Sequence, residues 1–165
     1  PNRDLWGRPT DFRSGEGAAF DLFSPVHVKR ENPEPIDKEM DRLGLAVGMP
    51  PKKFQVNGVP MDLSARPDIY QEFVRLAGND AKDPVWGLGA KDYLNEVITR
   101  QNPDAETYHY PGMTDGPDGN RATWIRDKIR DYRELAKREL MRQNPEFNAM
   151  YELNRQKVDK ARGLR

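Results

Sequence analysis

The chain has 165 residues, 36% apolar and 33% charged with a formal net charge of zero, so it has material for one small core and not clearly for two domains. It contains no cysteine, which excludes disulfides and thiolate metal sites. No apolar run approaches the ~20 residues that cross a bilayer, and no signal-peptide core is visible. A soluble chain, intracellular or inside a particle, is the expectation, and its first residue, a proline, is compatible with a piece of something longer.

Residues 1–33 carry large apolar side chains without a period: Leu5, Trp6, Phe12, Phe20, Leu22, Phe23, Val26 and Val28, broken by Gly7, Pro9, Gly15, Gly17 and Pro25. A flexible linker would be polar. The segment reads as an extended docking arm whose side chains sit in pockets, either of its own fold or of a neighbour. Leu5, Trp6, Phe12, Phe20, Leu22, Phe23 and Val26 are its expected partner-binding residues.

A helical domain is expected over 34–143. Ile36, Met40 and Leu43 share one helical face over 34–43, with Pro35 in the first turn and Gly44 as the stop. Asn57-Gly58, between FQV and VPM, is a strong hairpin signal and places one short hairpin near 54–63. Ser64 is the expected cap of a helix over about 65–77 with Ile69, Phe73 and Leu76 inward, closed by Gly78-Asn79. A loop over 79–89 follows, with Gly87-Leu88-Gly89 as its hinge, then a helix over 90–100 with Tyr93, Leu94, Val97 and Ile98 apolar. Residues 103–119 read as loop.

The longest helix is expected over about 120–143. Ile125, Ile129, Tyr132, Ala136 and Leu140 fall in a stripe about 80° wide, and Arg133 is placed on the opposite, solvated face. Asn144-Pro145 breaks it before a C-terminal helix within 144–165 that carries Phe147, Met150, Tyr151 and Val158. From 121 to 165 there are 13 Lys and Arg against 7 Asp and Glu, +6, leaving 14 against 20, −6, in residues 1–120. The basic tail suits an acidic partner or nucleic acid, or is a solvated surface of i,i+4 pairs. Its aromatics lie on the apolar stripe, not among the basic residues, so it is a poor stacking platform for bases.

Catalytic and metal-binding patterns are missing. Gly87-Leu88-Gly89 lacks the third glycine and Lys-Ser/Thr of a phosphate loop, and there is no GxSxG turn and no HExxH pair. His27 and His109 each stand in loop sequence. Starting a calcium loop at Asp115 puts Arg126 where a glutamate belongs, so DGPDGN at 115–120 reads as a tight turn and helix cap. No catalytic, cofactor-binding or metal-binding residue is expected, and no cofactor. The reading is not an enzyme.

The order of pieces is informative: DLFSP at 21–25, PIDKEMDRLGL at 35–45, GMPPKKF at 48–54, VNGVPMDLS at 56–64, IYQEFVRLAG at 69–78, DGPDGNRA at 115–122 and IRDKIRDYRELAKREL at 125–140. Over residues 20–142 this resembles the C-terminal region of very large internal virion proteins of tailed bacteriophages, which are associated with genome ejection. One departure is Ser64-Ala65-Arg66-Pro67 where many relatives open the helix with a Thr-Pro-Glu-Glu type start. The resemblance implies a structural, docking role in a virion, in the capsid interior or the neck and tail, with the host cytoplasm as the place of assembly. Its implied partners are portal, tail or sibling ejection subunits, with copies of the chain in a homo-oligomeric ring. The alternative is a DNA-contacting module whose basic C-terminal helices touch packaged DNA nonspecifically. The expected fold is mostly α: four to five helices, one short β-hairpin and a long irregular N-terminal arm.

Overall fold

A computed structural model describes residues 2–10 and 32–163. Among them are α1 (Pro35–Leu43), a hairpin of β1 (Lys53–Val56) and β2 (Val59–Asp62), α2 (Pro67–Arg75) running into a π-helical turn (Leu76–Asp80), α3 (Ala90–Ile98), the one-turn α4 (Ala105–Tyr108), α5 (Asn120–Gln143) and α6 (Pro145–Ala161). The fold is mostly α with one antiparallel hairpin, as the sequence patterns suggest. The hairpin pairs Lys53 with Asp62 and Val56 with Val59, and both Asn57 and Gly58 take positive φ at its turn.

Two elements differ from expectation. Ser64 does not cap α2. Leu63 buries completely, the Ser64 amide donates to Asp62, and Pro67, whose ring fixes the first helical torsion, delays the start to residue 67. The helix also does not stop at Gly78-Asn79. It widens into the π turn, where the backbone of Trp6 and Gly7 passes directly over Gly78: a Cβ there would lie 2.1 Å from the Trp6 carbonyl carbon. The short helix α4, inside the predicted loop, exists to bury Ala105 and Tyr108.

The apolar stripe of α5 is wholly buried, and it serves two clusters. Ala122, Ile125, Ile129 and Tyr132 join Ile36, Leu43, Tyr93, Leu94, Val97 and Tyr108, whereas Ala136 and Leu140 join Ile69, Phe73, Leu76, Leu63 and Phe147. Leu135 touches both clusters. Burial of this stripe supplies the stability that propensity alone would not give so charged a helix. Helix α6 is anchored by fully buried Phe147, whose amide donates to the capping Asn144 side chain at 3.0 Å.

The start of the N-terminal arm belongs to this core. Trp6 is 3% exposed within the first cluster, Leu5 packs against it, and the segment is closed by an Arg3–Pro9 bridge. The Arg8 guanidinium meets Asp4 at 2.8 Å, Glu34 at 2.6 Å and Asp37 at 3.2 Å, three carboxylates on two segments. Trp6 is therefore corrected from a partner-binding residue to a core residue, since an indole so enclosed has no surface left to offer, whereas Leu5 is only partly buried against the cluster. Phe12, Phe20, Leu22, Phe23 and Val26, like His27, lie outside the described residues.

A candidate docking face on the 81–89 loop

The loop between the π turn and α3 is organised by one side chain. The Asp83 carboxylate accepts from the backbone amides of Val85 at 3.0 Å, Trp86 at 2.7 Å and Leu88 at 3.0 Å, and from the Tyr132 hydroxyl at 3.1 Å. The backbone closes the same turn, with Asp83 N donating to Leu88 O and Gly87 N to Asp83 O, both at 3.0 Å. This is the local turn that a short acidic side chain forms with the amides ahead of it. In the predicted glycine hinge, Gly87 takes a positive φ and Gly89 sits at a close crossing. A Cβ on Gly89 would lie 1.7 Å from the Asn79 carbonyl oxygen, so that glycine permits a close backbone crossing that locks the loop's base. Asn79 ties the same base down, accepting from the Asp92 amide at 3.0 Å and donating to its carboxylate at 3.1 Å.

The locked turn holds two apolar side chains outward. Val85 is 74% exposed and Trp86 41%. Beside them is a cleft of about 410 Å³, floored by Tyr93, Tyr132 and Leu135 and rimmed by Asp104, Lys128, Asp131 and Arg138. The Tyr93 and Tyr132 rings stand 5.9 Å apart, and the Tyr93 hydroxyl donates to Asp104 at 2.6 Å. Burial pushes both tyrosines well above their ordinary range, and their carboxylate partners push the same way. For Asp83 burial would raise the pKa, but the backbone amides of Trp86 and Leu88, Tyr132 and the Val85 amide together hold it below its ordinary value. The hydroxyls stay protonated donors and the Asp83 carboxylate an ionised acceptor. Their hydrogen bonds fix the shape of the face.

The other sequence candidates are structural. His109 Nε2 lies 3.1 Å from the carbonyl oxygens of Val97 and Ile98 at the C-terminal end of α3. Asp115 of the DGPDGN turn bridges Arg42 and Arg121 at 2.8 Å each, while Thr114 Oγ1 accepts from the Asn120 amide at 2.9 Å to open α5. Among the described residues no group of three His, Cys, Asp or Glu is placed to hold a metal, and no helix is long and apolar enough to cross a membrane. The basic C-terminal helices are laced with acid-first i,i+3 pairs: Asp127–Arg130, Glu134–Lys137, Glu139–Arg142 and Glu152–Arg155.

Sequence reasoning missed the exposed Val85–Trp86 face because these residues have no period to betray them. The available signal was a bulky apolar pair inside a loop of turn residues, NDAKDPVWGLG. No protein-family model, curated protein or solved structure matches the chain.

Proposed function

We propose that the chain is a structural docking module of a tailed-bacteriophage virion, and that the Trp86 face is where it meets a neighbouring virion protein. The observation that carries the docking reading is the outward display of Val85 and Trp86 on a turn already hydrogen-bonded into shape. Tryptophan and tyrosine dominate the energetics of protein interfaces, and a loop fixed before association avoids the cost of ordering on binding. The mixed rim of Asp104, Asp131, Lys128 and Arg138 is the polar border such an apolar centre requires. The virion setting rests on the order of motifs across residues 20–142. In that setting the partners are portal, tail or sibling ejection subunits, the place is the capsid interior or the neck and tail, and assembly occurs in the host cytoplasm. We assign no catalytic residue.

The test is direct binding. The purified chain and its Trp86→Ser variant are titrated against portal, tail and ejection subunits encoded on the same genome, and against duplex DNA. The reading expects binding to one of the proteins, weakened about 30-fold or more by Trp86→Ser. It is overturned if no subunit binds, if Trp86→Ser binds equally well, or if DNA alone binds with a steep salt dependence.

A further inference from the structure

On the flank of α5 away from the Trp86 cleft lies a second groove, of about 360 Å³, between the helix and the chain leading into β1. At about 100° per residue, Arg126, Arg130, Arg133 and Lys137 project from one strip of α5, opposite Lys128, Asp131, Leu135 and Arg138. The groove's floor is apolar, with Val47, Pro51 and Phe54 at its surface over the buried Phe73 and Ile129, and its wall holds those four cations against one carboxylate, Glu134.

The cations are not equivalent. Lys137 pairs with Glu134 at 2.7 Å, and Arg130 pairs with Asp127 at 3.2 Å. Arg126 has no ion pair or hydrogen bond among the described residues. Arg133, which the sequence pattern places on a solvated face, is half-buried; its head donates to the Gly48 carbonyl and meets no carboxylate among the described residues. Burial draws its pKa below the ordinary arginine value, and the nearby Tyr70 only partly restores it. A half-buried guanidinium with donors to spare is poised for an incoming anion.

We propose that this groove binds an acidic peptide segment, its carboxylates on Arg126 and Arg133 and an aliphatic side chain between them on the surface that Val47, Pro51 and Phe54 offer. Charge complementarity selects the acid. The floor selects a peptide over nucleic acid: the Phe54 ring already has Phe73 at 5.0 Å and the Lys137 ammonium at 5.1 Å, so it has no free face on which a base could stack. The site is independent of the Trp86 face.

The experiment is fluorescence anisotropy of the whole chain with three labelled probes: a peptide alternating Glu with Leu, an all-Glu peptide of the same length, and single-stranded oligothymidine. The Glu-Leu peptide is expected to bind most tightly, to lose at least about tenfold in affinity in Arg126→Glu and in Arg133→Met, and to weaken with added salt. Arg133→Met keeps the buried stem, and Arg126→Glu changes an exposed side chain, so the test survives if one variant unfolds. No binding of the Glu-Leu peptide at about 1 mM overturns the proposal. So does affinity unchanged by Arg126→Glu, an all-Glu peptide binding as well, or oligothymidine binding more tightly and losing affinity in the same variants.

Discussion

The indole Nε1 of Trp6 donates to the Asp37 carboxylate at 3.0 Å, joining the first turn of α1 to a residue 31 positions earlier in the chain. The same carboxylate accepts from Arg8 and from the amide of Glu34, which caps α1. The N-terminal segment is thus a built part of the first cluster, and α1 is capped by a network that includes it.

Trp6→Ala should therefore destabilise the chain by about 3–5 kcal/mol, the range for emptying a buried aromatic site. Denaturant midpoints at constant m-value measure it. A change below about 0.5 kcal/mol would return the segment to the surface.

Gly78→Ala tests the crossing of residues 6 and 7 over the π turn. A methyl group there has no room beside the Trp6 carbonyl, so the variant should lose more than about 2 kcal/mol in the full chain. In a chain lacking residues 1–10 the same change should be neutral or slightly stabilising, since alanine favours helix over glycine. Equal effects in both backgrounds would contradict the packing, because the coupling between the two changes is the signature of contact.

The stripe of α5 yields a third expectation. Ile129→Ala in the first cluster and Leu140→Ala in the second should each cost about 2–5 kcal/mol, whereas Arg142→Ala, on an exposed side chain paired with Glu139, should stay within about 0.5 kcal/mol. Equal small shifts in thermal or denaturant unfolding would mean that the stripe is not core in the free chain.

Acid titration reports on Glu39, which accepts from Arg42 at 2.6 Å and from the fully buried Tyr108 hydroxyl. Burial would raise its pKa, but the Arg42 and Tyr108 hydrogen bonds outweigh it and hold it below the ordinary 4.5. A depressed carboxylate stabilises the fold above its unfolded value and loses that contribution as pH falls through the folded value, because the unfolded chain binds the proton first. Stability should thus decline as pH drops below about 4.5, with Asp115, held at about 2 by Arg42 and Arg121, titrating later. Glu39→Gln should flatten the first part of that decline in chemical unfolding followed against pH. An unchanged slope would remove Glu39 from the account.

Much of this fold is legible in the sequence because burial imposes a period. Ile36, Met40 and Leu43, and the five-residue stripe of α5, repeat as a helix must if one face is covered, and Asn57-Gly58 marks its own turn. The π turn and the burial of Trp6 have no local signature: they sit where two segments some seventy residues apart meet at a glycine. Arg133 follows the same logic, since its position on α5 reads as solvent until the chain at residue 48 closes over it. The Trp86 face is aperiodic, and the Asp83 hydrogen bonds and the crossing at Gly89, both unreadable from periodicity, distinguish it from an ordinary loop.

The docking account is tested most directly by hydroxyl-radical oxidation of the three tryptophans in the free chain and in assembled particles. In the free chain Trp86 should oxidise fastest and enclosed Trp6 slowest. On assembly the account predicts a severalfold fall in Trp86 oxidation with Trp6 unchanged, as expected for a side chain desolvated at the centre of an interface. Trp86 oxidising at the same rate in both states would contradict it.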